Sequence, residues 1–383
     1  MATMPGFVGQ RLRRARIARM MTGRYLAEQV GITPAAITRF EKGDACPRDE
    51  VVQRLADILL VPPSHFFNPL PPDRGAPVRN RSMSAATKRN RESAEVRLDW
   101  LREIIGYVAA LMPLPACDLP DLHRGHDPNA LSGEDIEEQA TALRRAWGMQ
   151  DGPIADMTAL LESRGFAVTC FSLGAESMDA LGAITPEAPI IIENTDRTTA
   201  VRMRFNLAHE VAHMVLHRHV PDVLASRPEI HRLMEHQAHR FAGAFMFPAR
   251  SFSNEIYSVS VGGLIEAKRR WKLSVQTMVH RAFDLRLISR DQYERAFRNM
   301  SIHGVRRREP LDDALPSEQP SQVAQRIRHL IEQRGFSVEE IESHTRHRRR
   351  EIEVLSSLPP GYFDAPAAPT RNRVVRLAPR PRA

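Results

Sequence analysis

The chain has 383 residues, a length that suggests two or three domains. Its 54 Lys and Arg residues exceed its 46 Asp and Glu residues, and the net charge of +8 favours polyanionic partners. Three widely separated cysteines exclude a disulfide-stapled secreted module. The longest uncharged run, Ile104 to Cys117, is too short to span a membrane, and no apolar run follows the N-terminal arginines as a secretory signal requires. We therefore expect a cytoplasmic protein without membrane contact.

Composition divides the chain into segments. Short helical patterns alternate with turn signals near the N-terminus, and stretches rich in proline and basic residues interrupt the apolar periodicity. These changes predict a helical domain at 7–68, a basic linker at 69–93, a mixed domain at 94–255, a helical extension at 256–310, a C-terminal helical segment at 321–358 and a disordered basic tail at 359–383.

Secondary-structure patterns within the mixed domain indicate an α+β fold. Two runs, FAVTCF at 166–171 and PIIIE at 189–193, are β-branched or aromatic and are bounded by Gly and Pro. Two strong helical patterns follow, near 199–217 and 229–246. The composition of the polar, proline-containing stretch 308–320 predicts a short linker.

The N-terminal segment predicts a helix-turn-helix. Its apolar residues fall at helical spacing across four short helices, and Gly31 can adopt the positive φ that ends the second of them. Thr33 can cap the third helix, with Pro34 at its first position. In a helix-turn-helix this third helix enters the major groove. Its exposed face would carry Thr33, Ala35, Ala36, Thr38 and Arg39.

This segment resembles the XRE-type, phage-repressor-like family. The resemblance rests on Leu26-Ala27, Val30-Gly31-Ile32, Arg39-Phe40-Glu41-Lys42-Gly43 and the closing Val61-Pro62. It implies binding to a double-stranded DNA operator, for which a homodimer is the expected form. The alternative is a small four-helix domain that docks on another protein.

The stretch RFNLAHEVAHMVLH at 204–217 predicts a metal site. His209 and His213 stand one helical turn apart on one face, where both imidazoles can reach one Zn2+ ion. Glu210 follows the first histidine and can accept a proton from water that the metal activates. The alternative is a buried polar network or a chance pair of surface histidines.

The third ligand is expected on the next helix. That helix offers Glu235, His236 and His239, of which Glu235 and His239 share one face. Either of these two can be the third ligand while the other supports it from behind, which makes His239 the supporting candidate where Glu235 binds.

RMRFNLAHEVAHMVLH and MEHQAHRFAGAFMFP together resemble the ImmA/IrrE family of zinc metallo-endopeptidases. The resemblance implies a zincin-like domain with a small β-sheet, attached to a helical extension. It also implies zinc ligands His209, His213 and Glu235, the catalytic base Glu210, and a protein substrate that is itself a repressor or regulator. The predicted fold class is multidomain and mainly α.

Two functions follow from these patterns. The first is a DNA-binding transcriptional regulator whose zinc endopeptidase domain hydrolyses a peptide bond in a partner regulator. The second is a non-catalytic regulator whose peptidase-like domain senses a ligand or partner.

Overall fold

A computed structural model describes residues 6–70, 87–196, 199–306 and 308–364. Most of these residues are helical, and three short strands form one small sheet. The predicted fold class is thereby confirmed: a mainly α chain with a helical N-terminal domain and an α+β domain. No helix in the described ranges is long and apolar enough to cross a membrane.

Four helices build the N-terminal domain, and their ends follow the capping signals of the sequence. The Thr33 hydroxyl accepts a hydrogen bond from the backbone N–H of Ala36, and Gly31 adopts a φ of 74° at the end of the second helix. Both predictions for this turn are therefore confirmed. The helices are α1 (Gly9–Ala18), α2 (Gly23–Val30), α3 (Pro34–Lys42) and α4 (Asp49–Leu59), followed by a short 3-10 helix (Pro63–Phe67).

The middle of the chain forms helices on both sides of the sheet. The elements are α5 (Lys88–Leu111), α6 (Gly133–Ala146), α7 (Met157–Ser163), β1 (Ala167–Phe171), β2 (Ala180–Ile184) and β3 (Pro189–Asn194). The central strand β3 pairs in parallel with β1 and antiparallel with β2.

Helices make up the rest of the described chain. They are α8 (Ala200–Leu216), α9 (Asp222–Ala225), α10 (Pro228–Met246), α11 (Ala249–Glu255), α12 (Val261–Trp271), α13 (Val275–Asp284), α14 (Arg290–Ile302), α15 (Gln322–Glu332), α16 (Val338–Thr345) and α17 (Arg349–Leu355). The long helices α8 and α10 pack against each other, and α8 also lies against β2.

The sheet separates two hydrophobic cores because successive side chains of a strand point to opposite faces. Ile190 and Ile192 of β3 join a core shared with α1 to α5 and α15 to α17. Ile191, between them, joins the core that α6 to α8 and α10 to α14 build on the other face. One side of the sheet therefore holds the N-terminal domain and the C-terminal segment, and the other side holds the long helices α8 and α10.

Ion pairs also tie the C-terminal segment to the N-terminal domain. Arg11 of α1 pairs with Glu103 of α5 at 2.6 Å, and the other Glu103 oxygen lies 3.2 Å from His347 Nε2. Arg19 pairs with Glu351 of α17 at 2.6 Å. Since most of these groups are buried, removal of one partner leaves an uncompensated charge.

The structure differs from the predicted boundaries at three places. Helix α5 begins at Lys88, inside the predicted linker, because the Thr87 hydroxyl caps it and Ser93 donates a hydrogen bond to the Ala18 carbonyl. At the C-terminus, Glu353 accepts hydrogen bonds from the backbone of Gly361 and Phe363, so the packed chain extends into the predicted tail. Residues 71–86 of the linker and 365–383 of the tail lie outside the described residues.

The third difference is the stretch at 308–320, where two glutamates are buried. Glu309 accepts hydrogen bonds from Lys268 Nζ and from the backbone N–H of Val275 at the start of α13. Glu318 pairs with Arg204 and accepts from the first N–H groups of α7. Residues 308–321, which we call the strap, are thus docked along the peptidase-like core.

Candidate metal centre and DNA-binding surface

Helix α8 presents two imidazoles on one face. His209 and His213 are four residues apart, and their Nε2 atoms lie 3.1 Å from each other. Helix α10 packs alongside α8 and brings Glu235 to the same point. The Glu235 oxygens lie 3.4 Å from His209 Nε2 and 3.3 Å from His213 Nε2. The structure therefore brings together the three residues that the sequence analysis proposed as ligands.

The distances between these ligand atoms suit a cation with tetrahedral coordination. Zinc holds nitrogen and oxygen ligands at about 2.0 to 2.2 Å, which places two ligands of a tetrahedron about 3.3 to 3.6 Å apart. The three distances between ligand atoms at this site, 3.1 to 3.4 Å, are close to that separation. The donor set of two imidazoles and one carboxylate is also one that zinc accepts. His236, an alternative third ligand, is exposed and lines a different cavity with Arg240.

The charges of the site favour a cation as well. Burial by itself raises the pKa of Glu235, but the neighbouring imidazoles of His209 and His213 outweigh it and hold the pKa well below its usual range. Burial lowers the pKa of His209, yet the Glu235 hydrogen bond and the charge of Glu210 leave it raised. The Glu235 carboxylate therefore favours positive charge at this point, whether a proton on His209 or a bound cation.

A chain of hydrogen bonds behind His213 orients its ring. Gln237 Nε2 donates to the Pro128 carbonyl at 2.7 Å, so Gln237 Oε1 is the atom that faces His217 Nε2 at 3.1 Å. An amide oxygen only accepts, so a neutral His217 ring carries its proton on Nε2 and offers an unprotonated Nδ1.

The unprotonated His217 Nδ1 lies 3.0 Å from His213 Nδ1 and accepts its proton in a hydrogen bond. His213 then has a lone pair on Nε2, the atom that faces His209 and Glu235. This His213–His217–Gln237 relay is buried throughout. The sequence analysis did not assign it.

His239 takes a different place from the one expected. Its ring packs against Phe205 and His280, with centroids 4.8 and 5.0 Å away, on the wall of the cavity beside the ligands. The hydrogen bonds that support a ligand come from His217 and Gln237 and not from His239.

Glu210 lies at the edge of the same cavity, and a glycine makes room for it. The cavity has a volume of about 1180 Å³ and is lined by His209, Glu210 and Glu235 among others. A Cβ atom at Gly182 of β2 would stand 2.6 Å from Glu210 Oε2, closer than real Cβ atoms approach. Glycine at this position of β2 therefore leaves the Glu210 carboxylate the space that a larger residue would take. The sequence analysis did not single out Gly182, because an isolated glycine between small apolar residues gives no signal of its own.

Helix α3, the predicted recognition helix, is open to solvent. Thr33, Ala35, Thr38 and Arg39 are exposed, and Ala36 is half-buried. The Thr33 hydroxyl caps the helix, and Thr38 donates to the Pro34 carbonyl at 3.1 Å. Arg39 therefore offers the longest exposed donor group on this face, with a geometry that can reach a guanine edge or a phosphate.

Comparison with known proteins supports this division of the chain. Residues 12–66 match the family model described as helix-turn-helix, and residues 161–283 match the model of the IrrE N-terminal-like domain, Peptidase_M78. A relative from Sinorhizobium fredii (strain NBRC 101917 / NGR234), named an uncharacterized HTH-type transcriptional regulator, is 34% identical over 76 residues. The match covers 18% of this chain and 53% of that protein, so the chain spans about half the length of this relative. Residues 12–66 are therefore similar to helix-turn-helix domains, and residues 161–283 are similar to IrrE N-terminal-like Peptidase_M78 domains.

Proposed function

We propose that the chain is a cytoplasmic transcriptional regulator that binds a DNA operator and cleaves a partner repressor or regulator with a zinc-dependent endopeptidase site. The observation that carries the peptidase half is the His213–His217–Gln237 relay, which leaves an Nε2 lone pair facing His209 and Glu235. Metal binding through Nε2 requires this tautomer, and a hydrogen bond on the other ring nitrogen is the usual support of a metal-binding histidine.

Zinc, when bound by His209, His213 and Glu235, supplies a Lewis acid that activates water and polarises a peptide carbonyl. Glu210 is the proton carrier: its carboxylate accepts the proton of the attacking water and later delivers it to the leaving amine nitrogen. Burial between α8 and β2 holds this carboxylate at the cavity edge, next to the ligand helix.

The peptidase half is tested in cells by mapping new protein N-termini. Cells that produce the wild-type chain are compared with cells that produce a Glu210→Gln chain, which keeps the fold and the DNA-binding helix. We expect new N-termini inside at least one regulator in the wild-type cells only. Identical N-termini in both cell types contradict the proposal.

The DNA-binding half predicts a strong effect at Arg39. DNA selected from a random pool by the wild-type chain should bind an Arg39→Ala variant about 10-fold more weakly, with relaxed preference at one base pair, since a base contact is worth about 1–3 kcal/mol. Arg269→Ala, which removes an exposed arginine from α12, is the control and should bind as the wild type does. Equal affinity of the Arg39 and Arg269 variants in an anisotropy titration contradicts the assignment.

The homodimer stays a prediction. The same titration tests it through the number of chains bound to each DNA molecule.

A non-catalytic regulator is the second candidate. The observation that favours it is the shared core in which β1 and β3 of the peptidase domain pack with the helices of the N-terminal domain. A ligand in the cavity could then bias the DNA-binding domain through the sheet. In that case Glu210→Gln leaves gene regulation unchanged, while changes at the metal ligands alter it.

A further inference from the structure

A second group of rings lines the cavity beside the three candidate ligands. His239 of α10 and His280 of α13 pack edge to face, with their centroids 5.0 Å apart. Tyr293 of α14 lies behind His280, and its hydroxyl is 2.9 Å from His280 Nδ1. The metal-ligand arrangement uses none of these three side chains.

The hydrogen bond to Tyr293 decides which nitrogen of His280 carries a proton. A phenol is a stronger acid than a neutral imidazole N–H, and an imidazole nitrogen is a stronger base than a phenol oxygen. The Tyr293 hydroxyl is therefore the donor and His280 Nδ1 the acceptor. The proton of the neutral ring then sits on Nε2, where it forms an N–H donor.

The surroundings keep both rings uncharged. Burial and the nearby His236 lower the pKa of His280. Burial, and repulsion of a second positive charge so near His280, lower the pKa of His239 to about 3. No hydrogen bond comparable to that of Tyr293 fixes the His239 ring within the described part of the chain. His280 is thus the neutral donor with a fixed tautomer on this wall.

We propose that His280 is a further catalytic residue, which donates its Nε2–H to the oxygen of the scissile peptide carbonyl. This inference rests on the proposed endopeptidase function and deepens it. The carbonyl oxygen gains negative charge as water adds, and a positioned neutral donor stabilises that charge without giving up its proton. Tyr293 is a positioning residue, since it acts only through His280.

Two zinc-directed inhibitors of different shape test the assignment on the zinc-loaded full-length chain. A phosphoramidate dipeptide carries tetrahedral anionic oxygens like those of the reacting carbonyl, whereas a mercaptoacyl dipeptide binds zinc through sulfur and lacks them. For His280→Ala we expect the phosphoramidate to bind about 100-fold more weakly, the typical loss on removing one such donor, with mercaptoacyl binding unchanged. For Tyr293→Phe we expect a smaller loss in the same direction.

Zinc content of each variant and an Arg232→Ala control accompany these titrations. Arg232 is exposed on α10, and the Arg232→Ala chain should bind both inhibitors as the wild type does. An equal loss of affinity for both inhibitors in the His280→Ala chain overturns the proposal, because it indicates that His280 has a structural role. Unchanged binding of both also overturns it. If the wild-type chain holds zinc but binds neither inhibitor, the proposed endopeptidase function fails, and that result is distinguishable from the other two.

Discussion

Replacing Glu210 by Gln is expected to reduce peptide hydrolysis by about 100- to 10,000-fold, the usual contribution of a general base. The amide has nearly the shape of the carboxylate, so it fits the space beside Gly182 without displacing β2. It cannot accept a proton from the attacking water. Turnover measured on a substrate found by N-terminus mapping checks the loss.

Three further measurements make the result specific to catalysis. The Glu210→Gln chain should keep its zinc and its operator affinity, because neither depends on the proton carrier. Glu229→Gln, an exposed change on α10, is the matched control and should hydrolyse at the wild-type rate. Full activity of Glu210→Gln contradicts the assigned role, and loss of zinc in that variant would mean that Glu210 is a ligand and not a base.

Replacing Glu318 by Ala is expected to lower the free energy of unfolding by about 3–5 kcal/mol. Glu318 pairs with the buried Arg204 and accepts two backbone N–H bonds of 2.9 Å at the start of α7. Its removal leaves a guanidinium without its counter-charge and two helix N–H groups without an acceptor. Burial already lowers the pKa of Arg204 to about 10, but the group stays charged near neutral pH.

Urea unfolding followed by tryptophan fluorescence measures this loss. Asp313→Ala provides the control on the same strap, because its ion pair with Arg308 is exposed on both sides and is worth little. If Glu318→Ala lowered the free energy of unfolding no more than Asp313→Ala does, the strap would be a linker and not a docked segment.

Local chemistry explains what could be predicted from the sequence. The turn at Gly31 and the cap at Thr33 depend on a few neighbouring residues, so the helices around them follow from the sequence alone. The spacing of His209 and His213 likewise fixes their common face once the helix is recognised. Glu235 is the third ligand that the resemblance implies, and α10 brings it to the two imidazoles.

Tertiary contacts explain what could not be predicted. The strap is polar and contains prolines, which is the composition of a linker. Its glutamates dock on the core because Arg204 and Lys268 lie where they can form buried ion pairs with them. Helix α5 was grouped with the peptidase domain by its place in the sequence, but its apolar face packs in one core with α1 and the C-terminal segment. The orienting role of His217 depends on Gln237 from another helix, and no spacing within α8 reveals it.

Metal content tests the central claim most directly. Elemental analysis should find about one zinc per wild-type chain, and His213→Ala and Glu235→Ala should each lose it because a three-ligand site does not survive the loss of one ligand. His236→Ala should keep its zinc, since that side chain faces another cavity. A wild-type chain that takes up no zinc even when zinc is supplied, or a Glu235→Ala chain that retains it, would contradict the proposed centre.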